Sequence, residues 1–422
     1  MVETLSERMH AVADHGPEDH FDPAGVISAG RGRVRRRRAA LGGATLATLA
    51  VVGGLPLALA GGGGAGDGAP ASPPPPAETL TLGDASPAVE GRDYVVERTV
   101  RSADTEASGG PFVRGITPAG TTVLQRYPGG MNGADAGEVG LAQPGGAVRW
   151  LADTPADLGN YAGTAGGDLL FEAGGAEASG SVAGFWVYEV QRQRWRAWTD
   201  AQGSLVMFDT SAGPVAAGTD EVLTTNGPTF QEPRTALFRT STAPGSTLAP
   251  FATAGNLAQR GTAYAYTDTL ARPNHEVTVG DLAGGRTVSF DPGTGDCRQI
   301  GLGLAAGAVV VTTNCAVGDD PDMMTDVVDH VDVFDLEGNP LVSISGDRLG
   351  PIGTSDRWLT IKSDEPGASG VYAYSFEDGR FLRLTDEPSV FTGSSTGAGD
   401  RLVWERPVDG DRGVAFTVAR MR

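Results

Sequence analysis

Seven times along this chain a stretch of small residues gives way to an apolar, strand-like run. The runs begin TTVLQ at Thr121, DLLFE at Asp168, EVLTT at Glu221, TAYAY at Thr262, AVVVT at Ala308, RWLTI at Arg357 and RLVWE at Arg401. Their starts lie 47, 53, 41, 46, 49 and 44 residues apart. A period of that length is the signature of a repeat architecture, and roughly 40–50 residues makes one four-stranded propeller blade. Within the second repeat LLFEA is followed by FWVYEV, the turn QRQ and RWRAW; within the sixth, WLTIKS is followed by VYAYSF, EDG and RFLRLT. These runs alternate with the period of a strand, and helical periodicity is absent from them.

With the strands of a blade written A to D, the apolar runs are B and the next two runs are C and D. The small-residue stretch before each B is then the inner strand A, where glycine and alanine let the blades converge on a narrow axis. The last repeat ends GVAFTVARMR and lacks a D strand, and the unassigned segment DYVVERTV, residues 93–100, is expected to supply it. Such closure joins the two ends of the chain and removes an open sheet edge. The expected fold is therefore all-β, a seven-bladed β-propeller over residues 79–422. A pair of β-sandwiches is the competing arrangement.

The region before the repeats has a different character. Residues 39–60 carry no charge and directly follow an arginine cluster that ends in Arg35, Arg36, Arg37 and Arg38. About 20 apolar residues span a bilayer core, and basic flanks stay on the cytoplasmic side. The pattern predicts a cytoplasmic tail (1–38), one transmembrane helix (39–60), a linker rich in glycine and proline (61–78) and an extracytoplasmic propeller. Cleavage after Ala60, which would make the segment a signal peptide and the domain a secreted one, is the alternative.

Charge then narrows the partners. The whole chain carries 52 acidic against 32 basic side chains, a net −20. An acidic domain repels phosphate backbones, so nucleic acid is excluded as a partner class. Cys297 and Cys315 are the only cysteines. They stand symmetrically about Ala306, and in a hairpin folded there they face each other, which predicts a disulfide pinning strands A and B of the fifth blade.

The repeat ends RFLRLTDEPSVF and RWRAWTD resemble those of TolB-type and WD40-like β-propellers. The layout of acidic tail, arginine cluster and span resembles a class of actinobacterial single-pass proteins, some linked to sigma-factor regulation. The resemblance implies a fold and a setting, and no family's functional residues transfer, because Trp-Asp dipeptides, Asp-boxes and kelch glycine pairs are missing.

Little in the chain points to catalysis. The run Gly393 to Gly397 matches a nucleophile-elbow pattern, and Gly301, Gly303 and Gly307 mimic a dinucleotide loop; both fall in strand A, with no helix to follow, and read as packing. Trp186, Tyr188, Trp195 and Trp198 read as packing between blades. The C-to-D turns are short while the B-to-C loops are long, which marks the face carrying the B-to-C loops as the binding face. On that face the loop after Cys315, AVGDDPDMMTDVVDH, offers Asp319, Asp320 and Asp322 as ligands for calcium, which takes about six to eight oxygens; a solvated acidic loop is the alternative.

These observations predict a membrane-anchored extracytoplasmic propeller that binds a ligand or protein without catalysis. The competing functions are a signal transducer whose tail holds a regulator such as a sigma factor, and a carbohydrate-active enzyme.

Overall fold

The computed structural model describes residues 78–102, 109–128, 137–156, 158–173, 185–198, 221–225, 235–243, 245–247, 249–268, 276–293, 297–316, 327–387, 397–408 and 413–422. Their strands form seven sheets, one per blade. Blade one is Phe112–Ile116, Thr122–Arg126, Glu138–Ala142 and Val148–Trp150, in the order A to D. Blade two is Leu158–Ala165, Asp168–Ala173, Phe185–Glu189 and Arg194–Trp198. Strands B to D of blade three are Glu221–Thr225, Thr235–Ser241 and Ala249–Ala254. Blade four is Leu257–Arg260, Ala263–Thr267, Val277–Asp281 and Val288–Phe290. Blade five runs Arg298–Leu304, Ala308–Ala316, Val327–Asp335 and Pro340–Gly346, and blade six Leu349–Thr354, Trp358–Ser363, Gly370–Ser375 and Phe381–Thr385. Strands B and C of blade seven are Arg401–Val408 and Gly413–Met421. The positions expected for strand A of blades three and seven lie largely outside the described residues.

The expected closure is present. Strand Tyr94–Ser102 lies antiparallel beside Gly413–Met421, with Tyr94 opposite Met421 and Ser102 opposite Val414, and so serves as strand D of blade seven. The Arg422 amide also donates to the Asp93 carbonyl at 2.9 Å. The strand runs two residues past the expected end at Val100, because Ser102 still finds a partner and is fully buried.

One feature was not anticipated. Strand Glu78–Thr81 adds in parallel to the outer strand of blade five, and Ser86–Pro87 adds in parallel to the outer strand of blade six. Between them a short 3-10 turn, Leu82–Asp84, is held by the Asp84 carboxylate, which accepts from the Thr81 amide at 2.7 Å and the Thr81 hydroxyl at 2.8 Å. Leu82, 5% exposed, docks with Ile344 and Leu349. The segment before the closing strand is thus a strap across the rims of blades five and six.

The core consists of interfaces between neighbouring blades. Every adjacent pair contributes its own apolar cluster, including the pair formed by blades seven and one, where Phe416 meets Phe112 edge-on at 6.3 Å. Repeat-to-repeat stacking of this kind is what makes a blade stable only among its neighbours. Near the axis, a Cβ on Gly303 would stand 3.0 Å from Thr354 Cγ2 and 3.2 Å from Ile352 Cδ1 of blade six, so packing explains that glycine. The inner strands are less uniformly small than expected, however: blade one uses FVRGI, with Phe112 fully buried.

The polar side chains at the axis are also committed to structure. Arg260, at the end of strand A of blade four, donates to the Leu304 carbonyl of blade five, the Thr354 carbonyl of blade six and the Asp356 carboxylate, at 2.9, 2.9 and 2.8 Å. Asp356 accepts in turn from the Gly399 amide of blade seven at 2.7 Å. One guanidinium and one carboxylate therefore join four consecutive blades.

Cys297 and Cys315 form the expected disulfide, with Cα atoms 4.3 Å apart. The register differs from the expected one in an instructive way. Near the tip, Leu304 faces Val309, which is one residue off symmetry about Ala306; a bulge between Gln299 and Gly301 then restores the symmetric register, and Arg298 faces Asn314. The bulge lets a two-residue tip and a facing cysteine pair coexist in one hairpin.

Candidate functional site

In blades one and two the A-to-B and C-to-D turns lie on one face, and a cleft of about 460 Å³ opens among them. Its volume lies in the range of small-molecule sites. Blade one contributes Thr117, Pro118, Ala119 and Thr121 from its first turn, and Leu141, Gln143, Ala147 and Arg149 from around its second. Blade two contributes Thr164, Gly167, Leu169 and Val190.

Local chemistry fixes each wall. The turn at Thr117 closes with the Gly120 amide on the Thr117 carbonyl at 2.7 Å, and the Thr121 amide donates to the Thr117 hydroxyl oxygen at 3.1 Å. Gly120 has φ +81°, and a Cβ there would lie 3.1 Å from the Arg401 guanidinium, so only glycine fits without strain. Gln143 donates its amide to the Thr121 hydroxyl oxygen at 2.9 Å and ties the two turns together. Arg98 of the closing strand donates to the Gln143 carbonyl at 3.0 Å and to the Gly146 carbonyl, so the closing strand braces this wall. Opposite, the Asp168 carboxylate accepts from the Val190 amide at 3.1 Å and holds the second turn of blade two against the first. Leu141 and Leu169, 8% and 2% exposed, form an apolar floor continuous with the interface between these blades.

Arginines around the cleft are mostly engaged. Glu189 receives Arg194 at 2.5 Å, Arg196 at 3.2 Å and Arg192 at 3.3 Å. The Arg194 bond, followed by those from Arg192 and Arg196, pulls the Glu189 carboxyl down from its ordinary value of 4.5 to about 2. A depressed acid contributes stability above its unfolded pKa and loses it as the pH falls through the folded value. Melting temperature is therefore expected to drop between pH 4.5 and pH 2. In Glu189→Gln the wild-type advantage at neutral pH should be gone and that acid limb flattened; identical acid limbs for both proteins would show that the cluster contributes nothing.

Carboxyls of raised pKa, the usual marks of a general acid, lie elsewhere. Burial pushes up Asp329 and Asp332, both on strand C of blade five. Asp329 is fully used, accepting from the Asn314 amide group and the Leu349 backbone at 2.8 Å each. Among the described residues no group of three or more His, Cys, Asp or Glu is placed to hold a metal ion.

Of the residues singled out in the sequence, Trp198 donates to the Ser241 carbonyl of blade three at 2.9 Å and Trp195 to the Ala152 carbonyl at 3.1 Å, which fits the packing reading. Asp319, Asp320 and Asp322 lie outside the described residues, and so do Arg35, Arg36, Arg37, Arg38 and the segment 39–60. No helix among the described residues is long and apolar enough to cross a membrane. Most B-to-C loops are likewise outside them, and the cleft lies on the opposite face from the one that loop length favours. Sequence reading did not anticipate the cleft, because its two walls come from different repeats.

The chain is thus a seven-bladed β-propeller. No family model matches it, and no curated protein does. Among solved structures it is similar to an oligogalacturonate lyase in complex with manganese, with 11% identity and a TM-score of 0.45, over 77% of this chain and 91% of that one. It is also similar to the β-propeller domain of Cps50 (Swd1) from Myceliophteria thermophila, with 10% identity and a TM-score of 0.43, over 77% of this chain and 99% of that one. A third is the GH93 α-L-arabinofuranosidase of Fusarium graminearum, at 10% identity and a TM-score of 0.34, over 76% of this chain and 98% of the other. A β-propeller fold by itself does not decide between catalysis and binding.

Proposed function

We propose that this chain is a membrane-anchored, extracytoplasmic β-propeller that binds a small ligand without converting it. Residues 39–60 serve as the anchor, and the cleft between blades one and two is the ligand site. The observation that carries the binding reading is the composition of the cleft: its lining includes no carboxylate, histidine, cysteine, lysine or tyrosine, and Arg149 is its one charged side chain. A general acid or base has to stand within hydrogen-bond reach of the reacting atoms, and a cleft lined this way supplies recognition without such a group. Export is supported by the disulfide, which persists in oxidising compartments, and by the arginine-flanked apolar segment.

The test uses purified full-length protein and a mixture of small-molecule fragments, read by saturation-transfer NMR. Fragments should bind, remain unconverted, and be lost in Ala147→Trp, where an indole fills the cleft from an exposed position while the melting temperature stays within about 2 °C, as is usual for surface changes. Hits that survive Ala147→Trp would move the ligand site elsewhere, and hits that turn over would overturn the non-catalytic reading.

A further inference from the structure

Three side-chain donors in the cleft lining, on Arg149, Thr117 and Thr121, have no acceptor among the described residues. Arg149 is exposed and makes no hydrogen bond or ion pair within the described residues, whereas its neighbours are committed: Arg98 to turn carbonyls, Arg126 to Glu138, and Arg192, Arg194 and Arg196 to Glu189. Thr117 and Thr121 use their hydroxyl oxygens as acceptors, from the Thr121 amide and from Gln143, which leaves both hydroxyl protons without an acceptor among the described residues. Arg149 stands directly opposite Leu141 in the ladder between strands C and D, and paired residues point to the same side of a sheet. The guanidinium therefore rises beside the apolar floor, on the side of blade one that faces the cleft.

Resting on the ligand-binding reading of this cleft, we infer that its ligand is an aliphatic monocarboxylate. The carboxylate meets Arg149 and the threonine hydroxyls, and the aliphatic body lies on Leu141, Leu169 and Val190. A carboxylate offers about four lone-pair sites, enough for one guanidinium and two hydroxyls. A phosphate dianion would bring a second negative charge that this lining cannot match, into a protein of net charge −20. A neutral apolar ligand would leave the guanidinium covered and unpaired, which is costly. A carboxylate of this kind is presented equally by a free branched-chain acid and by the apolar C-terminal residue of a polypeptide.

The experiment titrates purified full-length protein calorimetrically with 4-methylpentanoate and with 4-methylpentan-1-ol, and in parallel with acetyl-Ala-Ala-Leu as the free acid and as the C-terminal amide. Both acids share the recognised group, and the tighter of the two identifies the source. Each acid should bind at least about tenfold more tightly than its neutral counterpart, the scale of one hydrogen-bonded charge. Arg149→Gln should remove that preference, by weakening the acids and not the neutral compounds, while Ala147→Trp should abolish binding of all four. An alcohol or amide that binds as tightly as its acid, or an acid preference that survives Arg149→Gln, overturns the carboxylate and leaves the cleft as the site. Absence of binding by either acid overturns the inference as well, and the fragment screen then reports separately on the cleft. Binding of an acid that persists in Ala147→Trp overturns the cleft reading itself.

Discussion

Deleting residues 1–102 is expected to leave a protein that aggregates, whereas deletion of residues 1–77 is expected to leave a folded monomer. The difference is the strap and the closing strand. Tyr94–Ser102 pairs along its length with the last strand of the chain, from Tyr94 opposite Met421 to Ser102 opposite Val414, and it buries Val100 beside Phe416. At about 0.5–1.5 kcal/mol net for each backbone bond, plus about 2 kcal/mol for a buried valine, the loss is on the order of 5–10 kcal/mol. That is comparable with the whole stability of a domain, and it also uncovers a sheet edge that invites pairing between molecules. Size-exclusion chromatography and thermal melting of the two truncations check this. A synthetic peptide of residues 78–102 should restore the monomer, and a monomeric 103–422 fragment with unchanged melting would mean that the ring closes without that strand.

The second large effect concerns Lys362, the only lysine in the chain. Its ammonium lies 2.7 Å from the Glu405 carboxylate, with side chains only 15% and 2% exposed, and the pair joins strand B of blade six to strand B of blade seven. Removing one partner breaks a largely enclosed ion pair, which typically costs about 3–5 kcal/mol. Lys362→Met and Glu405→Leu should each lose stability on that scale in urea unfolding. The double variant should regain most of it, because an apolar pair of similar volume is often neutral or stabilising. Additive losses in the double variant would show that the two charges act independently. With no other lysine present, amine-directed modification should report on this position alone apart from the N-terminus, and slow labelling is the expected outcome for so enclosed a group.

The repeat was legible because it is written in local residue order. Each strand B is an apolar run such as AVVVT or WLTIKS, buried on both faces between blades, and a tight turn of small residues precedes it. Closure could be read from an absence, a repeat lacking its fourth strand and an alternating segment left over at the other end. The cysteine pair was readable by symmetry even though the compensating bulge was not. The strap was hidden because ETLT and SP attach through backbone bonds to strand edges and stay mostly exposed, so no apolar alternation betrays them. The ion pair was hidden because its members stand 43 residues apart in neighbouring repeats. The cleft was hidden for the same reason: Arg149 sits in a three-residue strand, Val148–Trp150, and becomes part of a cleft only when the first turn of blade one and the wall of blade two come beside it.

The strap also sets how the ring responds to a mechanical load. Tension on Glu78 directed along its strand would act on a parallel ladder, with Glu78, Thr79, Leu80 and Thr81 in register with Val342, Ser343, Ile344 and Ser345. Such a pull shears the ladder, so its bonds resist together; a pull across the strand would open them one after another. Beyond this first ladder the load meets Leu82 in its apolar seat, then the short ladder on blade six, and only afterwards the strand that closes the ring. Against a pull in that direction the strap insulates the closure, as a knot is protected by turns of rope taken around a post.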